Sequence, residues 1–339
     1  MKLYSNEIVF RGHPDKVCDQ ISDAILDECI RQDRHSRCGI EVVGGKGQVF
    51  ITGEITTTAT LDVEGIAKRV LHDVGYSERY IIINNIGQQS RDIAIGTNDE
   101  VGGAGDNGMM FGYATSETKE LLPKAMVILQ RFSIAYDHLR KINPQFKSDG
   151  KAQITGYYDD DFRLKKIKTA TICYQNTEVN RIETDFMIKG LFQVICDDYG
   201  VEVEQYLVNP TGCFEIGGFD GDAGLTGRKI VVDNYQSFAN VGGGAFSGKD
   251  PTKVDRSGAY KAREIAVALL QKNGLKWCEV QLSYAIGTRE PLAIYIDSDQ
   301  GNFEPERTLY ESCTPARIIE DLKLREERFE ERAKFGHFR

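Results

Sequence analysis

One pattern constrains the fold of this 339-residue chain more than any other: a helical periodicity followed by two strand-like runs, met three times along its length. Asp15 to Gln32 repeats apolar Val17, Ile21 and Ile25 every four residues, with Ala24 and Cys29 beside them, which predicts a helix. Glu41 to Ala59 follows as a hairpin, two β-rich runs flanking the turn cluster Gly44-Gly45-Lys46-Gly47. Leu122 to Ile142 predicts a second amphipathic helix, with Pro123 in its first turn. Strands are expected after it at Gln153 to Tyr158 and at Ile167 to Gln175. A further helix runs over Thr184 to Tyr199 and stops at Gly200. The third unit is a helix over Ala259 to Asn273, stopped by Gly274, then strands at Glu279 to Ile286 and Leu292 to Asp297.

Units of this kind predict an α+β fold, with helices on one face of mostly antiparallel sheets. Three lobes are expected, at about residues 1–110, 111–230 and 231–339, interleaving in sequence. Two charged stretches complete the reading. Asp15, Asp19, Asp23 and Asp27 form an acidic stripe along the first helix, in which Asp23 and Asp27 read as a solvated face. Lys323 to Lys334 reads as a solvated terminal helix.

Charge narrows the partners. The formal net charge is −9, which argues against nucleic acid or an anionic membrane as partner. An anionic ligand must then be met by a local cluster of Lys and Arg. No apolar run is long enough to cross a bilayer. The N-terminus lacks the apolar region of a signal peptide. The eight cysteines are scattered and form no C-x-x-C pair, so a cytoplasmic setting with reduced thiols is expected.

The local cluster lies between Gly212 and Gly258, where glycine is concentrated. Glycines let the backbone approach a ligand and expose its N–H groups. Arg228, Lys229, Lys249, Lys253 and Arg256 recur in the same stretch, which marks it as a polyphosphate site. Gly243 to Asp250 nearly spells a P-loop, but Asp250 stands where the magnesium-binding hydroxyl belongs. Asp222 and Asp255 either neutralise the neighbouring cations or hold a hard cation through oxygen. His13 sits in the turn Gly12-His13-Pro14, where it can donate to phosphate or move a proton. Glu41 and Glu54 are glutamates in β-rich runs. The polar, Gly-rich stretch from Gln88 to Gly105 reads either as a surface loop or as a lid.

The blocks GHPDKVCDQISDAILD, GEITT, GAGDNGMMFGYAT, GDAGLTGRKIVVD and GGGAFSGKDPTKVDRSGAY, with a closing GHF, resemble the S-adenosylmethionine synthase (methionine adenosyltransferase) family along nearly the whole chain. The resemblance implies three similar lobes around a pseudo-threefold axis. It implies a homodimer, alone or paired into a tetramer, with active sites at the subunit interface. The implied reaction joins ATP and L-methionine into S-adenosyl-L-methionine and splits the released triphosphate into phosphate and diphosphate. Two Mg2+ per site and K+ are implied as cofactors.

Site residues follow from the same resemblance. His13, Lys151, Arg228, Lys249 and Lys253 match the catalytic set. ATP-binding positions are His13, Asp149, Lys151, Cys213, Phe214, Asp222, Arg228, Lys229, Ala245 and Lys249. Methionine-binding positions are Glu54, Gln89, Asp106, Asp222 and Lys253. Asp15 and Asp255 match the magnesium ligands, and Glu41 the potassium site. The chain departs from the family pattern at Arg91, Ile95, Cys213, Asn240 and Val241, in the lid and at the adenine edge. A nucleotide-binding paralogue without activity and a generic phosphotransferase are the competing readings.

Overall fold

The computed structural model describes residues 1–76, 79–88, 102–177 and 181–339. Eleven strands among them form three sheets. The first sheet has the order β4-β3-β2-β9, from β2 (Arg37–Gly45), β3 (Gln48–Thr56), β4 (Ile81–Gly87) and β9 (Gly224–Leu225). Its hairpin turns at Lys46 and Gly47, with φ of 47° and 86°. Both central residues are then left-handed, as the tightest hairpins require. The second sheet has the order β1-β6-β7-β8, from β1 (Lys2–Val9), β6 (Phe146–Tyr158), β7 (Leu164–Asn176) and β8 (Val203–Val208). The third has the order β11-β10-β5, from β5 (Gly108–Thr115), β10 (Trp277–Tyr284) and β11 (Ala293–Ser298). Two strand pairs, β3–β4 and β7–β8, are parallel and the others antiparallel.

Helices cover these sheets. In chain order they are α1 (Pro14–Gln32), α2 (Val63–Val74), α3 (Lys124–Ile142), α4 (Arg181–Asp198), the single turns α5 (Gly218–Gly221) and α6 (Ile230–Asp233), α7 (Val254–Asn273), and the short α8 (Arg307–Ser312), α9 (Pro315–Asp321) and α10 (Phe329–Ala333). Each sheet carries helices, so the three-lobe α+β expectation holds. The lobes exchange strands: β1 enters the sheet of β6 and β7, β5 enters that of β10, and β9 enters that of β2. α3 and α4 pack with the second sheet in one apolar core, through Ile128, Phe132, Ile188 and Phe192. The other two lobes share a second core, in which Ile21 and Ile25 of α1 meet Val42 and Ile51.

Two charged segments behave otherwise than expected. Asp23 is fully buried, and the Asp27 carboxylate accepts the N–H groups of Phe329 and Glu330 at 2.8 and 3.0 Å. The stripe is therefore not a solvated face. α1 is a central helix, and later segments cross both its apolar and its acidic sides. In the tail only Phe329–Ala333 is helical within the Lys323 to Lys334 stretch. Lys323 has φ of 51°, which ends the turn before it. Phe329 is fully buried and Phe338 stacks on Tyr235, centroids 4.8 Å apart. Tertiary packing, not a helical charge pattern, fixes the tail.

Candidate active site

The N-terminus of α1 is where the predicted residues gather. His13 caps the helix, its Nδ1 accepting the Asp15 N–H at 3.2 Å, and Pro14 fills the first turn. Helix N-termini of this kind favour anions. Asp15 is fully buried. Its Oδ1 lies 2.9 Å from Arg228 Nε and its Oδ2 2.5 Å from Lys229 Nζ. The Leu225 N–H also donates to Oδ1, at 3.0 Å. Burial pushes the Asp15 carboxyl upward, but Lys229 and the Leu225 N–H outweigh it and hold it below its ordinary value. His13 is lowered as well: burial and the charge of Lys229 bring it to about 4. Its imidazole is therefore neutral in the free protein near pH 7, with a ring nitrogen able to donate.

Beside this cap lies a cleft of about 320 Å3, lined by His13, Asp149, Lys151, Cys173, Phe214 and Asp222 among others. Lys151 stands on β6, between Val9 of β1 and Cys173 of β7. It also lines an adjoining cavity of about 440 Å3 together with Glu7, Arg228, Lys229 and Gln236. Glu7 pairs with Lys151 at 3.4 Å. Asp149 accepts the Gly218 N–H at 2.7 Å, and burial raises its carboxyl to about 6. The Phe214 carbonyl accepts the Asn176 N–H at 3.0 Å, which anchors the segment that holds Cys213 and Phe214. Asp222 is exposed and accepts the Ala223 N–H at 2.8 Å.

A second group sits around the N-terminus of α7. Lys249 pairs with Asp255, and Lys253 with Asp250 at 3.2 Å. Asp250 is fully buried and fixed by the Cys38 and Thr252 N–H groups, at 2.8 and 2.9 Å. The residue that spoils the P-loop pattern is thus a structural anchor. Gly39 pairs with Glu54 on β3 and bridges to Lys249, so Glu54 and Lys249 flank one glycine. A Cβ on Gly105 would reach Lys253 Cδ at 3.2 Å, which places the neighbour Asp106 at this group. Glu41 is exposed on β2, opposite Thr52.

The two groups adjoin. A Cβ on Gly227, whose φ is 76°, would collide with the side chain of Ala245, so the two glycine-rich segments touch there. Glu54, Asp106, Lys249 and Lys253 do not line the His13 cleft. Gln89, Arg91 and Ile95, with most of the expected lid, lie outside the described residues. Among the described residues no group of three or more His, Cys, Asp or Glu side chains converges as an all-protein metal cage would. No helix among them is long and apolar enough to cross a membrane. Glu7 and Lys16 carry no signal in the sequence, and Asp19 and Asp250, visible there in the stripe and in the broken P-loop pattern, gain a role only from these contacts.

Comparison with known proteins identifies the family. The chain matches the family models described as S-adenosylmethionine synthetase N-terminal domain over residues 1–91, central domain over 101–214 and C-terminal domain over 216–339. It is 40% identical to an S-adenosylmethionine synthase of Clostridium tetani, across 99% of this chain and 94% of that protein. It is 41% identical to that of Mycoplasmopsis synoviae, across 99% and 92%. It is 38% identical to that of Staphylococcus epidermidis, across 99% and 92%. With all three domain models covered in order and such relatives matched from end to end, the chain belongs to the S-adenosylmethionine synthetase family.

Proposed function

We propose that this protein is a methionine adenosyltransferase that makes S-adenosyl-L-methionine from ATP, L-methionine and water. The observation that carries the reading is the cluster of Lys229 and Arg228 on buried Asp15, at a helix N-terminus beside the cleft of His13, Lys151 and Phe214. Polyphosphate chemistry needs such cations beside the cleft, and here two of them stand on one buried carboxylate.

In this reading adenosine lies in the cleft with Phe214 and Cys213 at the adenine and Asp149 and Asp222 nearby. The triphosphate runs toward Lys151, Arg228 and Lys229, with Ala245 and Lys249 closing on it. Glu54, Gln89, Asp106, Asp222 and Lys253 hold methionine. The sulfur lone pair forms the S–C5′ bond as the C5′–O bond breaks, and that electron pair passes to the triphosphate oxygen. A thioether has no proton to lose, so no base is required. Holding the reactants in line supplies roughly 7–11 kcal/mol. His13, Lys151, Arg228, Lys249 and Lys253 take up the charge that develops on the leaving group. Water then divides the triphosphate into phosphate and diphosphate before release.

Magnesium is commonly held by one or two carboxylates plus substrate phosphate oxygens, so no all-protein cage is needed. Asp15 and Asp255 fit as one carboxylate each. Glycine keeps the space at both: a Cβ on Gly244 would collide with the Asp255 carboxylate, and one on Gly224 with the backbone of Pro14 and Asp15. When bound, the metal would neutralise phosphate charge. The exposed Glu41 carboxylate would supply an oxygen to potassium.

Assembly as a homodimer in the cytoplasm belongs to the same reading. Exposed Met109 and Tyr295 on the third sheet, and Ile81 and Ile83 on β4, leave apolar faces for a second copy. The test is a product assay with ATP, methionine, Mg2+ and K+. The sulfonium product with equal phosphate and diphosphate is expected. ADP or AMP without sulfonium would instead make the protein a phosphotransferase, and no turnover with retained ATP binding would make it a non-catalytic paralogue.

A further inference from the structure

Asp15, Asp19, Asp23 and Asp27 recur every four residues, so their carboxylates stand one above another on a single face of α1. Each accepts a backbone N–H from a segment far away in sequence. Asp15 takes Leu225 at 3.0 Å, Asp19 takes Gly227 at 2.8 Å, and Asp23 takes Gly248 at 2.8 Å. Asp27 takes Phe329 and Glu330. The second rung matters most for the site, because Gly227 directly precedes Arg228 and Lys229. The other Asp19 oxygen accepts from Lys16 Nζ at 3.0 Å, and the same ammonium donates to Asp233 Oδ1 at 2.5 Å. Asp233 closes α6, the turn that begins directly after Lys229. Lys16, Asp19 and Asp233 are each at most 1% exposed, and none lines the His13 cleft.

We infer that Asp19, acting through Gly227 and through the Lys16–Asp233 pair, is a positioning residue for triphosphate. It grips the Arg228–Lys229 segment at both ends and sets those two cations at the height of His13 and Asp15. The inference rests on the proposed reading of the site. A buried carboxylate is costly unless paired and hydrogen-bonded. Asp19 meets both conditions with groups that bracket the two cations. Its neighbour two rungs down, Asp27, makes equally short bonds to a tail segment that carries no site residue.

That contrast supplies the test. Binding of inorganic tripolyphosphate is measured by calorimetry, and melting temperature by scanning fluorimetry, for wild type, Asp19→Ala, Asp19→Asn and Asp27→Ala. Asp19→Ala weakens binding on the order of 10- to 100-fold, as a misplaced pair of charged contacts would. Asp19→Asn recovers part of the loss, because its amide oxygen still accepts from Gly227. Asp27→Ala keeps the wild-type affinity while its melting temperature falls. Wild-type affinity in Asp19→Ala, or losses in the two alanine variants that track melting temperature alone, would overturn the inference. Should Asp19→Ala not fold, Asp19→Asn against Asp27→Asn is judged in the same way. Wild-type protein that fails to bind tripolyphosphate would overturn the reading of the site itself, a separate result.

Discussion

Replacing Asp23 by alanine should be among the most damaging single changes in the chain, and the structure says by how much. Arg256 is fully buried. Its Nη2 lies 2.7 and 2.8 Å from the two Asp23 oxygens, and its guanidinium stacks 4.3 Å from the centre of the Phe329 ring. Its Nε and Nη1 find no hydrogen-bond acceptor among the described residues. Asp23 is thus the principal partner of a buried charge. Removing one member of such a pair costs about 3–5 kcal/mol, and the stranded Gly248 N–H adds about 1 kcal/mol or more. Replacing both members by apolar side chains, Asp23→Leu with Arg256→Met, should restore all but about 1–2 kcal/mol, since no charge is left uncompensated. Urea unfolding measures this directly. The single tryptophan, Trp277, sits on β10 in the lobe that carries α7 and reports its unfolding. Asp23→Ala should lower the midpoint by roughly 1.3–3 M at an m-value of about 2–3 kcal/mol/M. A midpoint within about 0.3 M of wild type, or a double variant no more stable than Asp23→Ala, would refute the argument.

Other consequences follow from single contacts. Lys253→Ala should cut turnover on the order of 10²–10³-fold with an unchanged circular dichroism spectrum, because Asp250 keeps the Thr252 and Cys38 donors. His13 is neutral above about pH 4 because of burial and Lys229. A bound anion offsets both, so tripolyphosphate binding at pH 5–6 should take up more protons in the wild type than in His13→Ala, measured by calorimetry in buffers of different ionisation enthalpy. Gly227→Ala should destabilise by about 1–3 kcal/mol, because an alanine strains at a left-handed φ and here would also collide with Ala245. Its thermal midpoint checks this. Asp27 is raised to about 7, first by burial and then by the charge of Asp23. The folded state thus holds a proton that the unfolded state releases near pH 4, and stability contributed by Asp27 declines as pH rises from about 4 through 7. Chemical denaturation across that window should show Asp27→Asn gaining on wild type as pH increases.

Much of this fold can be read along the chain, because each lobe is built on a periodic helix and an alternating pair of strands. The α3 and α4 boundaries match the expected helices within three residues at each end, and Gly200 and Gly274 end their helices with φ of 61° and 63°. The unread parts are those whose partners are distant. β1, β5 and β9 leave their own neighbourhood to complete another lobe's sheet, and no local pattern announces such a destination. α7 begins at Val254, five residues before the apolar repeat that predicted it. Its first turn carries Asp255 and Arg256, which look polar in sequence and are buried only because Lys249 and Asp23 come to meet them.

The acidic stripe shows most clearly why the site was only half legible. Four carboxylates spaced four residues apart are what an exposed helix face looks like, and nothing in the local sequence separates that from a buried ladder. What distinguishes them lies more than 200 residues away: the N–H groups of Leu225, Gly227 and Gly248, which donate to Asp15, Asp19 and Asp23. The stripe and the glycine-rich stretch are each ambiguous alone. An acidic helix explains how loose glycine segments are held in place, and those segments explain how the acids can be buried at all. A chain that needs several cations aligned on one anion, without a cage of regular secondary structure around them, can obtain that alignment by hanging each segment on a rung of one rigid helix.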